Sequence, residues 1–223
     1  MLILGVDTSG KDGSIALVKF DGENARTLEI VPLEGGTFSA QLVPQISDAL
    51  SRHNLSKGDI DALTVASGPG SFTGLRVGLA AIKALGEVLQ KPIAAVSLLE
   101  AIVCNSGTQG DVVAALDAGR GEVYTAEFQV SGQQTTVLNQ QLLSLAEFIS
   151  AKSNRQIITP DEKIADVLWE KRLRVTQVYR PRADTIARIG FKKIHAGDVT
   201  APDLLDANYI RRSDAEVKRL GEG

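Results

Sequence analysis

The sequence has few of the residues that disulfide-stabilised proteins and metalloenzymes depend on. Cys104 is the only cysteine, so no intramolecular disulfide can form. The two histidines, His53 and His195, stand far apart in the sequence, which excludes a pair of histidine ligands on one helix. Cys104 lies in an apolar helical segment without a charged neighbour, so we expect a buried, unreactive thiol. No metal site is predicted.

Long hydrophobic runs are also missing. No stretch approaches the roughly 18 apolar residues that a membrane-spanning helix needs. The first residues, MLILGVDTSG, lack a basic lead-in and reach Asp7 too early for a secretory signal. We therefore expect a cytoplasmic protein without membrane contact.

Excess positive charge is absent overall, because the net charge is −3 and the pI is about 5.5. Such a chain as a whole repels a phosphate backbone. The charge is uneven, however: residues 171–223 carry 12 basic and 7 acidic side chains, and residues 1–170 carry 12 and 20. The basic C-terminal quarter has two interpretations, an RNA contact or a solvated helix face.

Apolar segments rich in Ile, Val and Ala alternate with helical patterns, which predicts a mixed α/β fold. The predicted strands are 2–7, 14–20, 28–31, 62–67, 93–96, 112–117 and 122–130. The predicted helices are 39–52, 73–89 and 182–196, with further helices starting after Ser97, Ser144 and Pro160. A polar, Gly-containing stretch at 106–110 divides the chain into predicted subdomains 1–104 and 105–223.

Helix boundaries have specific signals. Ser97 with Glu100, and Ser144 with Glu147, have the spacing of a capping box. Pro44 falls inside the helix predicted over 39–52 and removes one backbone hydrogen bond from it.

An internal repeat connects the two halves. The segments ILGVDTSGKDGSIALVKF and VAALDAGRGEVYTAEFQV each show an apolar strand, an aspartate at its end, a turn of small residues and a second strand. The aspartates are Asp7 and Asp117. The repeat predicts a duplicated architecture with both aspartate turns near a shared cleft. Each aspartate either caps its turn or helps to hold a magnesium ion.

The segment SGPGSFTGLRVG, residues 67–78, leads from a predicted strand into a helix. Free backbone N–H groups at such a helix start can hold an anion, although no Gly-Lys-Ser/Thr follows the glycines as in a Walker A loop. The other interpretation is a tight strand-to-helix turn. The candidate phosphate-binding residues are Asp7, Thr8, Gly68, Gly70, Ser71, Thr73, Gly74, Arg76 and Asp117.

The helix predicted over 73–89 is apolar around more than half of its circumference. One apolar stripe consists of Leu75, Leu79, Ile82 and Leu89, and another consists of Val77, Ala81 and Val88. One sheet cannot cover both stripes, so the second is covered either by a partner subunit or by the rest of a larger monomer. The small residues Gly74, Gly78, Ala81 and Ala84 would allow another helix to approach closely.

These residues resemble the TsaB (YeaZ) family and, more distantly, TsaD and other actin-like ATPases. The resemblance covers most of the chain and rests on ILGVDTSG, SGPGSFTGLRVG, ALDAGRGEVY and ANYIRR. It implies an actin-like, ribonuclease H-like duplicated α/β fold. It also implies a non-catalytic subunit of the machinery that makes threonylcarbamoyladenosine in tRNA, with TsaD as the catalytic partner.

The resemblance further implies a partner interface on the first two helices. Its predicted residues are Ser39, Leu42, Val43, Ile46, Leu75, Leu79, Ile82 and Lys83. Implied partners are TsaD, TsaE, a second copy of the chain when TsaD is absent, and tRNA indirectly through the complex. No intrinsic cofactor is implied; ATP or ADP with magnesium would lie at an interface of the complex.

The sequence departs from the family where many members have a histidine before the first helix, because this chain has Phe38 there. No polar role can be carried over to that position. The competing hypothesis is a small actin-like ATPase or phosphotransferase that uses Asp7, the turn from Gly68 to Gly74, and Asp117.

Overall fold

A computed structural model describes residues 1–151, 154–208 and 210 of the 223-residue chain. The chain forms two compact units. The first contains residues 1–101 and 181–207, and the second contains the segment 102–180 and continues from residue 208. Among the described residues, no helix is both long and apolar enough to cross a membrane.

The first unit is built on a five-stranded mixed sheet with helices on both faces. Its strands are β1 (Leu2–Asp7), β2 (Gly13–Asp21), β3 (Asn24–Leu33), β4 (Ala62–Gly68) and β5 (Ile93–Ser97), in the order β3-β2-β1-β4-β5. Strands β1 to β3 are antiparallel, and β4 and β5 run parallel to β1. The helices are α1 (Phe38–Arg52), α2 (Phe72–Leu89) and the late helix α6 (Ala183–His195). Helix α3 (Leu98–Ser106) crosses the boundary between the units.

Opposite faces of this sheet bury two separate hydrophobic clusters. On one face α1 and α2 pack over β1, β2 and β4, with Leu42, Leu75 and Ile82 at most 1% exposed. On the other face α6 packs against β1, β2, β4 and β5. Burial on both faces accounts for the nearly continuous apolar sequence of β1 and β4.

The second unit repeats this plan with shorter helices. Its strands are β6 (Gly110–Gly119), β7 (Glu122–Ser131), β8 (Gln134–Ser144), β9 (Gln156–Thr159) and β10 (Val175–Gln177), in the order β10-β9-β6-β7-β8. Helices α4 (Leu145–Ala151) and α5 (Glu162–Glu170) pack through Phe148, Ile164 and Leu168 onto this sheet.

The two sheets therefore have the same topology, since each has three antiparallel strands followed by two strands parallel to the first. This arrangement confirms the predicted duplicated actin-like, ribonuclease H-like fold. The repeat detected in the sequence corresponds to β1–β2 and β6–β7.

The division of the chain differs from the predicted boundary at 104/105. The predicted boundary places helix α6 in the second subdomain, but Ala183 and Ala187 pack closely on Gly5 of β1 in the first sheet. A Cβ atom at Gly5 would clash with the Ala183 carbonyl oxygen, so this helix sits unusually close to the strand. The chain thus returns to its first unit after completing the second sheet.

Two local predictions were wrong. The Ser97–Glu100 capping box does not form, because Ser97 ends β5 and its buried hydroxyl has no hydrogen-bond partner among the described residues. Cys104 is exposed rather than buried, and its Sγ lies 3.8 Å from Thr135 Oγ1. The Ser144 capping box is confirmed, since Ser144 Oγ accepts from Glu147 N–H and Ser144 N–H donates to the Glu147 carboxylate.

Candidate functional site

The turn after β1 is a buried, hydrogen-bonded structure. Asp7 is 3% exposed, and its Oδ1 accepts a hydrogen bond from the Ser9 N–H at 2.9 Å. Thr8 is fully buried, and its hydroxyl donates to the Gly74 carbonyl oxygen at 2.8 Å. Asp7 therefore caps its own turn, and Thr8 ties that turn to the first residues of α2.

The glycine-rich segment before α2 is closed by the same turn. The Ser71 N–H donates to the Ser9 carbonyl oxygen at 2.7 Å. Ser71 is the N-cap of α2, and its Oγ accepts from the Gly74 N–H at 3.3 Å. Two N–H groups that an anion would need are thus bonded within the protein.

Three glycines allow this close contact. A Cβ atom at Gly70 would clash with the backbone of Ser9, one at Gly74 with the Thr8 carbonyl oxygen, and one at Gly78 with the Thr8 hydroxyl. The glycines of SGPGSFTGLRVG therefore let the tip of β1 lie against the helix. This geometry favours the tight strand-to-helix turn over an open phosphate cradle.

The other candidate phosphate-binding residues of the first unit are Gly68, Thr73 and Arg76. Gly68 precedes Pro69 at the end of β4, and Thr73 is exposed on α2. The Arg76 guanidinium stacks on the Phe72 ring, 3.7 Å from the ring centroid. A cavity of about 570 Å³ lies beside Thr73 and is also lined by Lys11, Glu34 and the first residues of α1 and α2.

Phe38 fills the position at which the family resemblance implied a histidine. It is 6% exposed, and its ring lies close to Gly13 and Gly74. The side chain therefore packs α1 against the turn and the start of α2.

Asp117 occupies the corresponding place in the second unit but has different surroundings. It is exposed; its Oδ1 accepts from the Gly119 N–H at 2.8 Å, and its own N–H donates to Asp161 Oδ2 at 2.7 Å. Burial raises the pKa of the Asp161 carboxyl, although the hydrogen bond from Asp117 N–H and the nearby Arg180 charge oppose this. The meeting of Asp7 and Asp117 at a cleft stays a prediction.

The predicted partner interface mixes core and surface residues. Leu42, Ile46, Leu75, Leu79 and Ile82 are at most 6% exposed and belong to the core of the first unit. Their side chains are not available to a partner, so those five assignments need correction. Ser39, Val43 and Lys83 are exposed, and the Lys83 ammonium donates to the Asp203 carbonyl oxygen.

A different set of residues forms the outward surface of these helices. We call it the α1–α2 face: it consists of small or apolar side chains and has no charged residue. Its members are Ala40, Val43, Pro44 and Ser47 of α1, and Thr73, Val77, Ala80, Ala84 and Val88 of α2. Val43 is 56% exposed and Val88 is 73% exposed.

Helical periodicity places the α2 members of this face on one stripe, opposite the buried Leu75, Leu79 and Ile82. The sequence therefore contained the signal, because Thr73, Val77, Ala80 and Ala84 recur at steps of four, three and four residues. Choosing the most hydrophobic residues selected the core side instead. Within the described residues, no three His, Cys, Asp or Glu side chains are grouped as metal ligands.

Known proteins resemble this chain over most of its length. Residues 30–191 match the family described as TsaD, tRNA N6-adenosine threonylcarbamoyltransferase. The chain is 30% identical to the tRNA threonylcarbamoyladenosine biosynthesis protein TsaB of Bacillus subtilis, over 98% of this chain and 97% of that protein. It is 28% identical to the Escherichia coli protein of the same name, over the full length of both. The structure of YeaZ from Pseudomonas aeruginosa superposes with a TM-score of 0.73 at 20% identity, covering 93% of this chain and 99% of that one, which shows a shared fold.

Proposed function

We propose that this chain, which belongs to the TsaB (YeaZ) family, takes part in making threonylcarbamoyladenosine in tRNA as a non-catalytic subunit. In this proposal it binds the threonylcarbamoyltransferase TsaD through the α1–α2 face and stabilises the active conformation of TsaD. The pathway assignment is supported by the names of the full-length relatives. The role of the subunit is supported by the surface chemistry of the first unit.

The α1–α2 face is the observation that carries the proposal. Fully buried interface cores have few charged residues, and a polar rim surrounds them. The α1–α2 face has this composition, with Asp48, Arg76, Lys83 and Glu87 among its exposed charged neighbours on the same helices. Ala80 and Ala84 would let a partner helix approach the α2 backbone closely. The surface thus suits a helical partner better than a small-molecule substrate.

The closed glycine-rich segment supports a non-catalytic role. Ser9 and Ser71 already satisfy backbone groups at the start of α2, and Thr8 fills the space beside Gly74 and Gly78. A phosphate would have to displace these contacts. We infer that any ATP or ADP with magnesium used by the assembly is held mainly by its other members, which include TsaE.

The same face would also pair two copies of this chain when TsaD is absent. An isologous dimer uses one patch on both copies, so TsaD would compete with self-association. In this proposal tRNA reaches the complex mainly through TsaD.

An arginine at Ala84 tests the interface. Binding of the full chain to TsaD from the same organism is measured by calorimetry and by co-elution. When TsaD binds, an arginine at this position would lose its hydration without gaining an oppositely charged partner. Ala84→Arg is therefore expected to weaken binding on the order of 100-fold. Ala84 is exposed, so the thermal unfolding temperature should change little.

Ala146→Arg is the matched control, since Ala146 is also an exposed helical alanine but lies in α4 of the second unit. If both variants bound TsaD as tightly as the parent chain, the proposal that TsaD binds the α1–α2 face would be contradicted. Efficient ATP hydrolysis by the isolated chain would contradict the non-catalytic role.

A further inference from the structure

The segment from Trp169 to Arg180 in the second unit combines exposed aromatic side chains with exposed cations. It contains the end of α5, the edge strand β10 and the residues that follow. Trp169 is 46% exposed and Tyr179 is 94% exposed. Lys171, Arg172 and Arg174 are exposed, and Glu170 is the only acidic residue of the segment.

The three cationic side chains have no polar partner within the described part of the chain. Lys171, Arg172 and Arg174 make no side-chain hydrogen bond or ion pair with residues 1–151, 154–208 or 210. Cations elsewhere do: Arg52 pairs with Glu29 at 2.7 Å, and Lys193 pairs with Asp198 at 2.7 Å. The segment is therefore a local positive surface on a chain with a net charge of −3.

A hydrogen-bonded turn fixes the backbone from which these side chains project. The Arg172 N–H donates to the Trp169 carbonyl oxygen at 2.8 Å, and the Leu173 N–H donates to the Leu168 carbonyl oxygen at 3.0 Å. Leu173 packs against the hydrophobic core of the second unit. The cations thus project from a fixed backbone, which reduces the entropy lost when they bind a ligand.

Protection of a sheet edge explains only part of this surface. Charged side chains on an edge strand prevent pairing with other strands. They do not account for two large exposed aromatic side chains, which edge protection does not require. Proteins that bind single-stranded nucleic acid combine both features: cations contact the phosphates, and aromatic rings stack on bases.

We propose that the segment 169–180 binds RNA directly. Lys171, Arg172 and Arg174 contact phosphates, while Trp169 and Tyr179 stack on unpaired bases. The choice of RNA among polyanions rests on the proposed function in tRNA modification. The proposal adds to that function a contact between this chain and the RNA itself.

The test measures fluorescence anisotropy of a labelled RNA stem–loop with the full chain at several salt concentrations. We expect dissociation constants in the micromolar range at low salt. Each lost phosphate contact reduces the slope of log affinity against log salt by about 0.7 to 0.9, so the triple variant K171Q/R172Q/R174Q should reduce the magnitude of the slope by about 2 to 3. Its affinity should fall at least about tenfold. Trp169→Ala and Tyr179→Ala should each weaken stem–loop binding about tenfold and leave binding to a blunt duplex unchanged.

The control triple K19Q/R26Q/K57Q removes the same charge from exposed positions of the first unit. Equal losses in both triples would mean general charge attraction and would overturn the proposal, as would unchanged affinity in the first triple. Equally strong competition by polyglutamate would assign the surface to an acidic protein instead. TsaD binding is measured on the same variants. If RNA binding is absent but TsaD binding is retained, only the RNA contact is contradicted and the proposed function stands.

Discussion

The two sheets share one strand order, yet the helices that cover them differ greatly in length. Helices α1 and α2 have fifteen and eighteen residues, whereas α4 and α5 have seven and nine. At about 1.5 Å per residue, α2 is about 27 Å long and α5 about 14 Å. The short helices suffice to bury Phe148, Ile164 and Leu168. The extra length in the first unit therefore adds outward surface, and that surface includes the α1–α2 face.

The starts of α2 and α5 differ in a related way. Gly74 and Gly78 stand three and seven residues after the N-cap Ser71, and Thr8 lies against both. The same positions after the N-cap Asp161 hold Ile164 and Leu168, which are core residues. Side chains thus fix α5 on its sheet, whereas α2 is fixed both by core side chains such as Leu75 and Ile82 and by close contact between its backbone and the turn after β1. Such a contact leaves α2, which carries part of the α1–α2 face, little freedom to shift on its sheet.

Among the substitutions that test this contact, placing a side chain at Gly74 should cause the largest loss of stability. In Gly74→Ala the new Cβ would clash with the Thr8 carbonyl oxygen, which is backbone and cannot turn away. Overpacking of this kind typically costs about 1–3 kcal/mol, and the better helix propensity of alanine returns about 1 kcal/mol at most. The upper end of that cost, less the gain in helix propensity, leaves an expected net loss of about 2 kcal/mol in the free energy of unfolding, measured with urea.

Gly58→Ala is the control, because the nearest atom to its Cβ would be Ser56 Oγ at an ordinary 3.5 Å. Gly78→Ala offers a rescue test, since there the clash is with the Thr8 hydroxyl. Adding Thr8→Ala should recover part of the loss. Strict additivity of the two changes would show that Thr8 and Gly78 do not interact.

Removing only the Thr8 hydroxyl should have a smaller effect. Thr8→Val keeps the shape but loses the buried hydrogen bond to the Gly74 carbonyl oxygen, so we expect a loss of about 1 kcal/mol in the free energy of unfolding. The second unit has Ala118 at the matching position after Asp117, with no hydroxyl. Ala118→Thr should therefore change stability by less than about 0.5 kcal/mol. Equal changes in unfolding free energy for Thr8→Val and Ala118→Thr would contradict the conclusion that a side-chain hydroxyl stabilises only the first turn.

Much of the first unit could be predicted from the sequence because its elements are long and strongly patterned. The sequence predicts all five strands and all three covering helices to within a few residues, since their apolar periods extend over whole elements. The second unit was harder. Strand β8 carries the exposed apolar residues Val137 and Leu138, and β9 and β10 have only four and three residues. Periodicity cannot identify strands this short or this irregular.

The candidate site shows a different limit of sequence reasoning. The motif SGPGSFTGLRVG was recognised, but both of its interpretations remained open because glycines serve phosphate binding and close packing equally well. Only the contacts of Thr8 and Ser9 with Gly70, Gly74 and Gly78 separate them. Likewise, amphipathicity located two apolar stripes on α2 but could not say which one the sheet covers. Tyr209, Arg211 and Arg212 of the ending ANYIRR lie outside the described residues.

The smallest predicted effect concerns Asp161, the acidic residue that accepts the Asp117 N–H in the second unit. Burial raises its pKa above the ordinary value of 3.8, so the folded state disfavours the ionised form. The penalty is absent below pH 3.8, grows as the pH rises from 3.8 to the folded pKa, and stays constant above the folded pKa. Asp161→Asn keeps a hydrogen-bond acceptor for Asp117 but does not ionise.

The parent chain should therefore lose stability relative to Asp161→Asn as the pH is raised from 4 to 7, measured as urea unfolding free energies at each pH. Asp59 gives the opposite sign, because hydrogen bonds from the Ser56 N–H and hydroxyl lower its pKa. Relative to Asp59→Asn, the parent chain should lose stability as the pH falls. If the unfolding free energies of both variants changed with pH in parallel with those of the parent chain, folding would not shift the pKa of either carboxyl group. The contrast between the Asp7 and Asp117 turns would then be one of packing alone.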